Sequence, residues 1–130
     1  MNAAAAPTVR VVIADDHRLF AEALEAILGS EARLQVVGRA ADGREAVDRV
    51  RELRPDVVLL DISMPVMDGF EAAAEIARLP EPPAVLMLTG SNAAQDVDRA
   101  RRAGASGYVT KDSISAHLVD AILAAAPKRG

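Results

Sequence analysis

The chain has 130 residues, enough for one ordinary domain with its own hydrophobic core. It contains no cysteine, which excludes disulfides and thiolate chemistry, and its 2% aromatic content argues against a platform for stacking bases or flavins. A net charge of −4 provides no overall basic field for nucleic acid or anionic lipid.

The N-terminal residues 1–8 are rich in alanine and predict a loosely ordered tail. They lack the charged leader and long apolar stretch of a secretion signal. Apolar runs farther along, such as 57–60 and 85–88, last four residues, far below the roughly 18 that a membrane span needs. We therefore expect a cytoplasmic protein that makes no contact with a membrane.

Short β-branched runs alternate with longer helical patterns from residue 9 to residue 126. Strands are predicted at 9–14, 34–39, 57–60, 85–89 and 107–110, and helices at 19–28, 43–54, 70–79, 93–103 and 114–126. Several strands are apolar at consecutive positions, as in a parallel sheet covered on both faces. This order predicts one α/β domain over residues 9–126, a doubly wound five-stranded parallel sheet with five helices. Residues 127–130 are expected to be a tail or the start of a linker.

Chemical groups gather where the predicted strands end. The first strand is followed by Asp15 and Asp16, the third by Asp61, the fourth ends at Thr89 and the fifth is followed by Lys111. In an open parallel sheet, ligands bind outside these carboxyl ends. Three carboxylates at one edge repel one another at neutral pH, and a hard divalent cation relieves that repulsion. The sequence therefore predicts a Mg²⁺ site at this edge.

Lys111 strengthens that interpretation. The chain has thirteen arginines and two lysines, and the other lysine lies in the last four residues. A compact ammonium on a flexible stem suits point contact with a carboxylate or phosphoryl oxygen better than a planar guanidinium does. The lysine inside the fold is therefore expected to have a task at the acidic edge.

Three segments together carry a recognisable pattern: VIADDHRLF at 12–20, DISMPVMDG at 61–69 and AGASGYVTKD at 103–112. The pattern resembles the receiver domain of two-component response regulators, which has a flavodoxin-like fold, and in particular the NarL/FixJ subfamily. The resemblance covers residues from about 9 to 126. Members of this subfamily usually carry a LuxR-like helix-turn-helix after the receiver.

The resemblance implies a role for each residue at the acidic edge. Asp61 would be the phosphoacceptor, and Lys111 and Thr89 would hold phosphoryl oxygens. Asp16 and Asp61 would bind Mg²⁺ directly, Asp15 through water, and Ser63 through its backbone carbonyl. Thr89 and Tyr108 would form the conformational switch. Ser63 and Ser91, two positions after Asp61 and Thr89, would orient attacking water.

The same resemblance implies partners. The phosphodonor would be a sensor histidine kinase, the domain would form a homodimer, and DNA would be bound only through a C-terminal helix-turn-helix domain outside this chain. The domain would not be an enzyme with external turnover, since its chemistry is self-catalysed phosphotransfer and autodephosphorylation. One departure is Lys111-Asp112, where many receivers have Lys-Pro, which puts the geometry of that loop in question.

Three alternatives remain open at this point. A haloacid-dehalogenase-type phosphatase also uses an aspartate nucleophile with Mg²⁺, but it needs a second aspartate where this chain has Ser63. A flavodoxin-like binding module shares the fold, but the chain has no Gly- or Ser/Thr-rich phosphate loop after the first strand. A receiver that signals through protein contacts alone is the third.

Overall fold

The computed structural model describes residues 8–90 and 94–127. Its strands are β1 (Val9–Ala14), β2 (Leu34–Ala40), β3 (Val57–Asp61), β4 (Ala84–Thr89) and β5 (Gly107–Thr110). They form one parallel sheet in the order β2-β1-β3-β4-β5, so the predicted five-stranded parallel sheet is confirmed. Most of the tail predicted at 1–8, and all but the first residue of 127–130, lie outside the described residues.

Five helices connect and cover the strands: α1 (Arg18–Gly29), α2 (Gly43–Leu53), α3 (Gly69–Ala77), α4 (Ala94–Arg102) and α5 (Ile114–Ala125). The predicted helices are confirmed, with ends that differ by one or two residues, the usual uncertainty at helix termini. Among the helices of the described residues, none is long and apolar enough to cross a membrane.

Side chains alternate along each strand and so divide the core into two layers. Val12, Val58 and Met87 pack in one layer against α2 and α3, whereas Val11, Leu59 and Leu88 pack in the other against α1 and α5. Successive side chains of a strand point to opposite faces, so a strand covered on both faces must be apolar at every position. The consecutive apolar runs of the sequence are the consequence.

The strand order reverses between β1 and β3. The chain leaves β1 for β2 on one side and then returns to place β3 on the other side of β1. Two crossovers that diverge in this way leave a crevice at the carboxyl ends of the two strands. Ala14 pairs with Leu60, so the residues that follow these two strands come together at that crevice.

The loop that follows β3 is held in place by the start of α3. Asp68 is the N-cap: its side chain accepts from the Glu71 N–H at 2.8 Å, and Glu71 accepts from the Asp68 N–H, which completes a capping box. The next residue, Gly69, donates to the Ile62 carbonyl at 3.1 Å. A Cβ on Gly69 would lie 2.2 Å from the Asp61 carbonyl oxygen, so only glycine permits this close approach.

We expect Gly69→Ala to lower the free energy of unfolding by about 2–4 kcal/mol, because the added methyl group collides with the backbone at Asp61. The matched control is Gly29→Ala, where a Cβ would meet nothing within 4 Å at the end of α1. That change should raise stability by about 0.4–1 kcal/mol. Urea unfolding measures the free energy of unfolding of both variants. Equal changes at Gly69 and Gly29 would contradict the close approach of Gly69 to the Asp61 backbone.

Candidate functional site

Asp15 lies at the bottom of the acidic crevice. Its backbone N–H donates to the Ala40 carbonyl at 3.0 Å, which ties the residue to the end of β2. Its Oδ1 accepts from the His17 N–H at 2.8 Å, and His17 is the N-cap of α1. Burial of the side chain is nearly complete, with 3% of the residue exposed, so the carboxylate has little access to water.

Asp61, the last residue of β3, stands beside it. Its Oδ1 accepts from the Ser63 N–H at 3.1 Å, which fixes the carboxylate through the loop that follows the strand. Burial raises the pKa of Asp61; the Ser63 N–H opposes this shift, the neighbouring charge of Asp15 adds to it, and Lys111 opposes it, leaving the pKa above its ordinary value. The ionised form of Asp61 is therefore less favourable in the folded protein than that of an exposed aspartate.

Lys111, which follows the edge strand β5, supplies the positive charge that opposes the aspartates. Its Nζ donates to Asp61 Oδ2 at 3.1 Å and lies 3.3 Å from Asp15 Oδ2. Burial lowers the pKa of Lys111, but the carboxylates of Asp61 and Asp15 outweigh this effect and hold the pKa above its usual value. The lysine is thus charged and shared between two carboxylates.

The three aspartates meet the requirements of a metal site. Asp15, Asp16 and Asp61 each offer a carboxylate oxygen, and these oxygens lie within 4.8 Å of one another. Asp16 is exposed, so a cation can enter from solvent. Asp15 Oδ2 is buried and, despite its ion pair with Lys111, accepts no hydrogen bond of acceptable geometry. A buried carboxylate oxygen left in this way is expected of a ligand position, so the cluster is able to bind a metal ion.

Thr89 and Tyr108 occupy the neighbouring strands. Thr89 ends β4, pairs with Thr110 of β5 and is buried. This register places it next to the strand end from which Lys111 extends. Tyr108 lies on β5 and is 42% exposed, beside a cavity of about 180 Å³ between α4 and β5. The structure thus brings Thr89 to the acidic edge and leaves the tyrosine on the surface.

The loop after Asp61 contains strained backbone. The Met67 N–H donates to the Pro65 carbonyl at 2.7 Å, which closes a tight three-residue turn around Val66. Val66 adopts a φ of 68°, a left-handed conformation that is unfavourable for a β-branched residue. The Gly43 N–H donates to the Met67 carbonyl and so anchors the turn to the start of α2. Ser63, at the beginning of this loop, is exposed beside Asp61.

An open groove of about 640 Å³ extends from the acidic cluster toward α4. Its lining includes Asp16 and Ser63 from the acidic edge and Asp96 and Arg99 from α4. The Arg99 guanidinium lies 4.2 Å from the centroid of the Phe70 ring. The basic run at Arg99, Arg101 and Arg102 suggests a solvated helix face, but the structure places its first member in the groove.

Sequence reasoning missed one residue of the site, Phe20. Its ring faces Lys111, with the Nζ 4.4 Å from the ring centroid. Phe20 comes four residues after Asp16, one helical turn into the chain that follows β1. That spacing and the rarity of aromatic residues were the available signals, but neither identifies a partner 91 positions away in sequence.

The Lys111-Asp112 departure does not displace the lysine. The peptide bond is trans, and residues Lys111–Ser113 form one turn of 3₁₀ helix that leads into α5. The hydroxyls of Thr110 and Ser113 lie 2.8 Å apart and close this turn. Local hydrogen bonding therefore sets the loop geometry without a proline. Ser91, predicted to orient water, lies outside the described residues.

Comparison with known proteins identifies the class that this fold and acidic edge define. The sequence pattern of the response regulator receiver domain matches residues 11–123, most of the chain. The chain belongs to the response regulator receiver domain family. The resemblance seen in the three sequence segments is thereby confirmed.

Individual relatives indicate which response regulators the chain is similar to. The Probable transcriptional regulatory protein NarL of Mycobacterium tuberculosis is 39% identical over 121 residues, 93% of this chain and 56% of that protein. The solved structure of the signal receiver domain of the putative response regulator NarL from Mycobacterium tuberculosis has a TM-score of 0.90 and 38% identity, covering 95% of this chain and all of that one. A chain of the CheX–CheY–BeF₃–Mg²⁺ complex of Borrelia burgdorferi has a TM-score of 0.83 and 28% identity, covering 91% and 89% of the two chains. This chain spans about 56% of the length of its NarL relative.

The crowding of Asp61 predicts a stabilising substitution. Asp61→Asn should raise the free energy of unfolding by about 0.5–2 kcal/mol in metal-free buffer at about pH 7, since it removes a charge that burial and Asp15 oppose. A raised folded-state pKa means that stability falls as pH rises through the titration of Asp61. The gain should therefore shrink at about pH 4, close to the unfolded value of 3.8.

Urea unfolding at the two pH values measures this gain. Asp112→Asn, an exposed change in the loop beside Lys111, is the matched control and should leave stability within about 0.5 kcal/mol of the parent. An Asp61→Asn variant that is less stable than the parent at neutral pH would mean that the Lys111 ion pair outweighs the crowding.

Proposed function

We propose that the chain accepts a phosphoryl group on Asp61 and transmits its presence as a change of conformation. The observation that carries the proposal is the charge pattern at the crevice, where Lys111 Nζ lies 3.1 Å from Asp61 Oδ2 and three aspartate oxygens lie within 4.8 Å of one another. One ammonium and a cation site can neutralise a phosphoryl group that is attached to a carboxylate. Membership of the receiver family supports the same function.

The transfer would proceed at Asp61. A carboxylate oxygen attacks the phosphorus of a phosphohistidine or of a small acyl phosphate, a new O–P bond forms, and the bond to the donor nitrogen or oxygen breaks. The leaving imidazole or acetate carries away the electron pair. Lys111 meets the phosphoryl oxygens where it now meets Asp61 Oδ2, and Thr89 approaches from β4. Water later attacks the phosphorus, the bond to the Asp61 oxygen breaks, phosphate leaves and the carboxylate is restored, so the proposed chemistry is self-catalysed phosphotransfer followed by autodephosphorylation.

Mg²⁺ is the cation that we propose for the aspartate cluster. Asp16 and Asp61 would ligate it directly, Asp15 through water and Ser63 through its carbonyl. A site with few carboxylates and open access to water suits Mg²⁺, which keeps several of its waters. Bound there, it would neutralise charge on the phosphoryl oxygens. The Mg²⁺ named with the related CheY complex supports this choice.

The proposed phosphodonor is a sensor histidine kinase. Two apolar side chains at the carboxyl edge of the sheet have no cover: Leu19 at the start of α1 is 73% exposed, and Val66 in the loop after β3 is 82% exposed. Both residues follow the carboxyl ends of neighbouring strands, Leu19 after β1 and Val66 after β3. Exposed apolar groups around a reactive aspartate suit transient docking of a protein donor.

The proposed output is control of transcription in a longer protein, through a switch at Thr89 and Tyr108. A phosphoryl group at Asp61 would draw Thr89 toward it, and Tyr108 would turn inward toward the cavity between α4 and β5. The face formed by α4, β5 and α5 would then change shape and support a homodimer. In a NarL-type protein, DNA would be bound by a C-terminal helix-turn-helix domain.

Incubation with acetyl phosphate and Mg²⁺ should add the mass of one phosphoryl group to the protein, and Asp61→Asn should abolish the adduct because it removes the nucleophile. Chelation of the metal or Asp16→Ala should slow labelling by at least about tenfold, because charge on the phosphoryl oxygens is then not neutralised. Intact-protein mass spectrometry follows both.

Asp112→Asn is the matched control for labelling, since it removes an exposed aspartate close to Lys111 without touching the cluster. It should label at the parental rate. Equal labelling of Asp61→Asn would remove Asp61 as the acceptor, and steady turnover of a phosphomonoester would indicate a phosphatase instead.

Beryllofluoride with Mg²⁺, a phosphoryl mimic, should strengthen self-association of the domain, because a ligand that prefers the active conformation shifts the population toward it. Thr89→Ala should weaken this response by removing the link from the crevice to β5. Sedimentation velocity at several protein concentrations measures the change.

The face is tested by charge reversal. Arg101→Glu on the exposed side of α4 should weaken the association, whereas Arg78→Glu, which follows α3, should leave it intact. A parent protein that stays monomeric with and without beryllofluoride would show that the switch acts without a homodimer.

A further inference from the structure

Phe20 has no role in the phosphotransfer chemistry, yet it lies against the central cation of the site. It is the third residue of α1, half-buried, and one of three aromatic side chains in the chain. Lys111 Nζ lies over its ring, 4.4 Å from the centroid. This is within the distance at which the negative face of an aromatic ring attracts an ammonium group.

Lys111 needs such a partner for two reasons. Its flexible stem must hold the ammonium at the crevice, and ordering a long lysine side chain costs conformational entropy. Its side chain is also only 26% exposed, so part of its hydration is lost. The carboxylates compensate for the charge, but only the contact with Asp61 has hydrogen-bond geometry. A ring face adds attraction from another direction.

We propose that Phe20 is a positioning residue, whose ring holds the Lys111 ammonium over Asp61 by a cation–π contact before and after phosphorylation. The post-transfer part rests on the proposed function. A cation–π contact is weakly directional, so the ammonium can move from the Asp61 carboxylate to a phosphoryl oxygen without leaving the ring. A third carboxylate at this place would instead compete with the phosphoryl group for the lysine.

The contact can be observed in metal-free, unphosphorylated protein. The chain has two lysines, so selective ¹³C-lysine labelling gives two Cε–Hε signals, and Lys111→Arg assigns them by removing one. Protons over an aromatic face are shielded, so the Lys111 Hε signal should lie upfield of that of a free lysine. Phe20→Leu keeps the apolar volume and should return the signal to the free position. A parental signal already at the free position would overturn the proposal.

The electrostatic nature of the contact is tested with mono-, di- and trifluorophenylalanine at position 20. Fluorination weakens the negative ring face stepwise while preserving the shape of the side chain, so packing is retained. The dissociation constant for beryllofluoride with Mg²⁺ should rise with each step, reaching about fivefold for the trifluoro ring. The same series at Phe70, whose ring contacts Arg99 and not Lys111, is the matched control and should be flat.

The outcomes separate this proposal from the proposed function. A flat series at position 20, in a protein that binds beryllofluoride and is labelled at Asp61, would overturn the role of Phe20 and leave the phosphoacceptor in place. Loss of the lysine shielding in Phe20→Leu together with a graded series at position 20 would support it. An equal gradient at Phe70 would overturn it, since the effect would then not depend on Lys111.

Discussion

The site depends on the balance between crowded aspartates and one ammonium group. Asp15 and Asp61 are buried side by side because their strands are neighbours, and each disfavours the charge of the other. Lys111 Nζ lies 3.3 Å from Asp15 Oδ2 and 3.1 Å from Asp61 Oδ2, and it is the cation that offsets this repulsion. The balance is incomplete, since the pKa of Asp61 stays raised and one oxygen of Asp15 accepts no hydrogen bond. A site left short of positive charge is suited to bind a cation and then a group that the cation neutralises.

The rest of the fold maintains this crowding. Apolar layers on both faces of the sheet hold the strands in register, and register sets how close the strand ends lie. The capping box at Asp68 and the close approach at Gly69 hold the loop after Asp61 from its far end. The strained turn at Val66 lies in the same loop. Strain of this kind persists only where surrounding contacts over-determine the backbone, and here those contacts are the N-termini of α2 and α3.

The residues around the crevice connect the acidic site with the surface formed by β5 and α4. Lys111 lies at the end of β5, the strand that also carries Tyr108, and Thr89 is paired with the residue that precedes the lysine. Lys111 directly follows β5, and β5 packs against α4. A change in the contacts of the lysine therefore arises next to the strand that faces α4. The contact with Phe20 links the same lysine to α1. The ammonium thus touches elements from both ends of the chain, as expected of a group whose contacts report the state of the site.

The sequence alone determined the alternation of strands and helices, the parallel sheet and the gathering of Asp15, Asp16, Asp61 and Lys111 at one edge. Local periodicity and the rule for carboxyl ends of strands suffice for these features, because both depend on backbone geometry. The three motif segments also sufficed to identify the family. Only the tertiary structure decided that Phe20 faces Lys111, that Arg99 enters the groove beside Phe70 and that Asp15 keeps a buried oxygen without a hydrogen bond. The two ring contacts depend on how α1 and α4 are rotated and seated on the sheet, and the Asp15 oxygen depends on how Lys111 approaches it from β5. These arrangements are set by packing between residues distant in sequence, which no local pattern contains.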